Sequence, residues 1–138
     1  MMSKKDLFVK AVLVWCILLV GAIVNGTVRT FGYRPFIGDL AAHQISTFIF
    51  IGIIFAVTYV AYRKNFETIE DICLLSTGSV WLLLTVAFEF LAGHFLFGSS
   101  WEKLFADYDF MKGRIWILVL IATWMAPYIT GKIFKKKL

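Results

Sequence analysis

The stretch 72–97, ICLLSTGSVWLLLTVAFEFLAGHFLF, decides the fold. Across 26 residues it carries one acid, Glu89, one histidine, His94, and no lysine or arginine. A helix needs about 20 largely apolar residues to cross a hydrocarbon core of roughly 30 Å. A barrel strand would instead alternate apolar and polar residues over about ten positions, and that alternation is missing. Three runs of the same kind lie around it. Leu7 to Val24 is broken only by Lys10, Ile45 to Tyr62 is uncharged, and Ile115 to Gly131 is uncharged with Pro127 inside it. Backbone groups left unpaired in lipid are costly, so each run is expected to be a helix. With flanking residues the spans fall at about 7–27, 40–63, 70–97 and 113–132. The expected fold is therefore all-α: one membrane domain over 1–138, a four-transmembrane-helix up-down bundle.

Composition agrees. The chain is 60% hydrophobic and 17% charged, where soluble domains run nearer 45–50% and about 25%. A net charge of +5 invites a nucleic-acid reading, but the basic residues sit in clusters separated by apolar runs and form no stripe that tracks phosphates. No nucleic-acid partner is expected. Nine Lys/Arg fall in the N-terminal segment, the Arg63–Asp71 loop and the C-terminal segment, against five (Arg29, Arg34, Lys103, Lys112, Arg114) in the other two loops. Positive-inside counting then places both termini in the cytoplasm of a prokaryotic cytoplasmic membrane. The first run is longer than a signal-peptide core and no A-x-A site follows it, so it reads as a retained anchor. Cys16 and Cys73 differ too much in depth for a disulfide and read as small buried thiols.

The outer loops carry structure of their own. Ser99 and Glu102 form a capping box, followed at helical spacing by Trp101, Leu104, Phe105, Tyr108 and Met111. This predicts a short amphipathic helix on the outer surface between helices three and four. In the first loop Gly32, Pro35 and Gly38 punctuate an irregular segment, after which Asp39 is placed to cap the second helix.

Glu89 stands out. It lies eight positions before Phe97, roughly 12 Å below the end of its helix at 1.5 Å per residue. A charge at such depth costs at least ~2.5–3.5 kcal/mol, so the residue is expected to face the bundle interior or a cavity. Gly78, Thr85, Glu89, Ala92 and Gly93 form a stripe of small and polar residues that would let a neighbouring helix approach. Glu89 is then either protonated or met by a donor from another helix; Asn25, Arg29, Arg34 and Arg114 are at suitable depth. The functional expectation is an outward-facing polar pocket around Glu89, walled by Asn25, Arg29, His94 and Arg114 and rimmed by His43, Asp107 and Asp109, that binds or passes a small ion or polar solute. A single interhelical ion pair would use the same residues.

Two other classes compete. The aromatic load in the spans, with Trp15, Trp81, Trp116 and Trp124, suits a non-catalytic accessory subunit or assembly factor of a larger membrane complex. His43 and His94 fall at comparable depth on helices two and three, the arrangement a haem or divalent metal would use. No cofactor is expected from so weak a pattern. Partners are expected to be membrane lipids, together with further copies of the chain or the subunits of a membrane complex. No catalytic motif occurs: there is no HExxH, nucleophile elbow, P-loop or CxxC, and no histidine reaches Ser76 or Ser79.

Overall fold

A computed structural model describes residues 3–106, 108, 109, 111 and 113–135. Among these the regular structure is all helix, with no strand, and four helices are long and apolar enough to cross a membrane. Helix α1 runs Lys4–Val28, α2 is the single turn Arg34–Ile37, and α3 runs Asp39–Tyr62. Helix α4 runs Asp71–Leu91, α5 is Trp101–Ala106, and α6 runs Trp116–Lys135. Two π-helical turns, Arg29–Tyr33 and Ala92–Leu96, continue α1 and α4.

The boundaries depart from expectation in three places, each for a local reason. The first span does not stop near residue 27; the π turn carries the backbone pairing of α1 through to Arg34, whose N–H donates to the Arg29 carbonyl. Helix α6 begins three residues later than the pattern suggests because Gly113 adopts φ +82°, a conformation a helix cannot contain and L side chains rarely take. Helix α3 starts at Asp39 itself, behind Gly38 at φ +91°, with no side-chain cap. Asp39 is instead committed to Arg114. In place of the expected Ser99–Glu102 capping box, Ser100 alone caps the next helix. Ser100 Oγ accepts the Lys103 N–H at 3.1 Å, while Ser99 is already engaged through its N–H to the Gly93 carbonyl. Helix α5 is accordingly six residues long, and Tyr108 lies beyond it.

The long helices pack in a ring ordered α1–α3–α6–α4, with α4 returning to α1. Helices α3 and α4, consecutive in sequence, therefore face each other across the centre. The connection between them can span that distance because it packs beneath the helices: Phe66 is fully buried and Ile69 nearly so. At this end Leu74 of α4 meets Gly131 of α6, and Lys10 of α1 donates to Asn65 Oδ1 at 3.0 Å while standing 4.9 Å over the Tyr62 ring. Lys132 and Lys135 both pair with Asp71. At the other end, Asn25 of α1 reaches Ser46 of α3, and Trp116 of α6 reaches Glu89 of α4.

Helices that are apolar on most of their faces are fixed against one another by close packing and interhelical hydrogen bonds. The four tryptophans within the long helices supply those bonds. Trp15 Nε1 donates to Thr85 Oγ1 at 3.0 Å, and the fully buried Trp81 donates to the Ala11 carbonyl at 2.8 Å, both joining α1 to α4. Trp124 donates to Ser79 and Trp116 to Glu89, both joining α6 to α4. The small-residue stripe of α4 is divided among three neighbours rather than lining one interface. Gly78 meets Trp124 of α6, Thr85 meets Trp15 of α1, and Gly93 meets Leu104 of α5. The thiols are unbridged, and Cys16 is exposed on the outside of α1 rather than buried.

Candidate functional site

The ends of α1, α3, α4 and α6 nearest α5 enclose a cavity of about 520 Å³, within the roughly 300–1,000 Å³ of small-molecule sites. Both π turns border it, through Arg29 on one and Gly93 on the other. Such turns redirect a helix's side chains and recur at functional sites.

Glu89 stands at its base, half-buried, with each carboxylate oxygen accepting a hydrogen bond. Trp116 Nε1 donates to Oε1 at 2.5 Å, and the Tyr108 hydroxyl donates to Oε2. Each donor ring is held by another ring. Trp116 stacks on Phe50 with planes 4° apart and centroids 6.4 Å apart, and Tyr108 stacks on Phe90 at 5.7 Å. The carboxylate thus gathers α4, α6 and the segment after α5 on one group, with α3 supporting the indole.

The basic residues enter from the rim. Arg29 donates to Ser46 Oγ at 3.2 Å, and Asn25 Nδ2 donates to the Ser46 carbonyl at 3.0 Å. Ser46 is fully buried, and its hydroxyl in turn donates to the carbonyl of His43. This chain of bonds sets Arg29 against α3. Arg114 pairs with Asp39 at 2.5 Å, and the neighbouring Gly113 carbonyl accepts from Gln44 Nε2 at 3.1 Å; both tie the start of α6 to α3. Arg34 and Lys103 complete the basic lining. In all, four cations (Arg29, Arg34, Lys103, Arg114) face two carboxylates, Asp39 and Glu89. The Arg114–Asp39 pair is exposed, with side chains 29% and 60% accessible, so it should stabilise little. Arg114→Gln is expected to lower the melting temperature by the equivalent of less than about 1 kcal/mol. The drop should vanish at high salt; thermal unfolding at two ionic strengths measures it.

Of the residues expected around Glu89, the structure brings Arg29, Arg114 and His43 to the same cavity. Asn25 stands behind Arg29, acting on it through Ser46. His94 is turned elsewhere: its ring stacks on Trp101 at 3.9 Å, and Nδ1 lies 2.9 Å from the Ser99 carbonyl. A carbonyl only accepts, so that nitrogen carries the proton. Of the two histidines, His43 lines the cavity and His94 does not. Among the described residues no three His, Cys, Asp or Glu side chains cluster as metal ligands would. Asp109 is half-buried beside Tyr108 in the chain and does not line the cavity; Asp107 lies outside the described residues. Sequence reasoning looked for the partner of Glu89 in Asn25 and the arginines and missed Tyr108 and Trp116, whose polar atoms sit on rings that otherwise read as apolar packing. It also missed Lys103, which α5 carries over the cavity.

No family model, curated protein or solved structure matches the chain.

A second, apolar cavity of about 230 Å³ adjoins the first; both are lined by Phe88, Glu89 and Trp116. It lies between α1 and the other long helices, against Leu18, Ala22, Ile54 and Thr85. Its hydroxyls are already engaged: Thr85 accepts from Trp15, and Thr123 donates to the Val119 carbonyl.

Proposed function

We propose that the protein spans a membrane four times in up-down order and binds, or passes, a small ion or polar solute in an outward-facing pocket around Glu89. The observation that carries this reading is the convergence of Arg29, Arg34, Lys103 and Arg114 on one cavity whose base is a carboxylate held by two ring-supported donors. A group that only joined helices would have no need of an open, charged cavity of about 520 Å³ above it. The end-to-end contacts Lys10–Asn65 and Asn25–Ser46 support the up-down order. The nine-to-five distribution of Lys/Arg supports placing the termini in the cytoplasm and the cavity outside.

The test is a panel of ions and polar solutes screened for thermal stabilisation of the purified protein and for flux in proteoliposomes, with Glu89→Gln beside the wild type. Binding of at least one member, weakened by Glu89→Gln, is expected. If no member stabilises the protein or crosses vesicles faster than empty controls, the ion-or-solute reading is wrong.

A further inference from the structure

We infer that the occupant of the pocket is an anionic amphiphile, a lipid whose phosphate group sits among Arg29, Arg34 and Lys103 and whose hydrocarbon chain lies in the adjoining apolar cavity. This rests on the pocket around Glu89 proposed above and goes beyond ions and small polar solutes to a lipid as its occupant.

Charge selects the head. Asp39 is spent on Arg114, and Glu89 accepts from Tyr108 and Trp116. Among the described residues neither Arg34 nor Lys103 is in an ion pair. Arg29 uses one donor on Ser46 out of the five a guanidinium carries. What the cavity offers a ligand is thus a surplus of N–H donors on cations, two of them planar forks that match phosphate oxygens. A small cation would find its carboxylates already engaged.

The second cavity selects the tail. It shares Phe88, Glu89 and Trp116 with the polar one, so the two lie side by side at the base of the pocket with these three side chains between them. The remainder of its lining is hydrocarbon and aromatic, apart from two hydroxyls already bonded within the protein. An ion or polar solute gains nothing there, and an apolar cavity of this kind stays dry and takes apolar guests. Ile23, at its edge, is 57% exposed on the flank of α1, which in a membrane is the direction from which an acyl chain arrives. A polar, cationic chamber beside an apolar one fits a molecule with both parts.

Three probes separate head, tail and charge: phosphatidylglycerol, phosphatidylcholine with the same acyl chains, and glycerol phosphate. Retention in native mass spectrometry and thermal stabilisation in detergent are the readouts. Phosphatidylglycerol is expected to bind at least about tenfold tighter than either of the others. The double change Arg29→Gln with Arg34→Gln should remove that preference. Lys103→Gln, at an exposed site on α5, should weaken it severalfold and serves if the double variant does not fold. Arg63→Gln with Lys64→Gln, the same charge removed at the opposite end, should leave it intact. Equal binding of the two lipids, or equal loss in the Arg63/Lys64 variant, overturns recognition of the anionic head. Glycerol phosphate binding as tightly as phosphatidylglycerol overturns the amphiphile while sparing the pocket. Failure of all three probes, with a hit in the solute panel that Arg29→Gln abolishes, likewise overturns only this inference; failure of probes and panel together removes the pocket reading as well.

Discussion

Replacing Gly78 by alanine is expected to prevent α4 and α6 from packing as they do. A Cβ at this position would lie 1.8 Å from the Trp124 carbonyl oxygen and 2.8 Å from its carbonyl carbon. Overpacking a core costs about 1–3 kcal/mol where side chains can shift. Here the obstructing atoms belong to the backbone of α6, which cannot rotate aside, so the two helices must separate. Separation would also pull Trp124 Nε1 from Ser79 Oγ, now 3.0 Å away, and loosen the contact of Leu74 with Gly131. The expected loss exceeds about 3 kcal/mol, beyond the usual overpacking range. It should appear as a sharply lower melting temperature in detergent and a poor yield of monodisperse protein. Gly52→Ala is the control, since nothing lies within 4 Å of where its added methyl would stand on α3. That variant should match the wild type or gain slightly, because alanine restricts the unfolded chain. A Gly78→Ala protein as stable as wild type would mean that the helices do not approach this closely.

Glu89 carries the second large effect, and the identity of the replacement should matter more than its charge. Glu89→Ala leaves the Trp116 indole N–H and the Tyr108 hydroxyl without their acceptor. A buried donor stripped of its partner costs about 1–3 kcal/mol. Both groups are only half-buried, so water restores part of this and the combined loss should remain about 1–3 kcal/mol. Glutamine keeps a carbonyl oxygen for the indole, and its amide can donate to a rotated Tyr108 hydroxyl. Glu89→Gln should therefore retain most of the stability while changing what the pocket binds. Thermal unfolding of both variants reads the first property and the ligand screen reads the second. If alanine and glutamine are equally destabilising, charge rather than hydrogen bonding holds this junction together.

The contrast between these two residues shows how far sequence alone reaches. Glu89 is legible because an acid inside an apolar run is expensive in lipid, and no detail of packing alters that. Gly78 is legible only as a small residue on a helix face. That it faces the backbone of Trp124, while Thr85 and Gly93 on the same stripe serve other helices, follows from how α4 sits among its neighbours. Likewise the interruption of α6 at Gly113 is set by a positive φ that a hydropathy pattern cannot register.

Composition and hydropathy by themselves determined four long apolar helices, the uneven placement of basic residues at their ends, and the singularity of Glu89. Each is a one-dimensional property: transfer free energy adds along the chain, so a sum over about 20 residues suffices. Only the tertiary structure decided that α3 and α4 face each other across the centre, that His94 stacks on Trp101, and that Glu89 is met by Tyr108 and Trp116. Those choices depend on directional hydrogen bonds and on contacts closer than 4 Å between residues as many as 75 positions apart. Many pairings of the same apolar helices bury similar area, and the one adopted is selected where Gly78 admits a backbone and where every in-span tryptophan finds an acceptor.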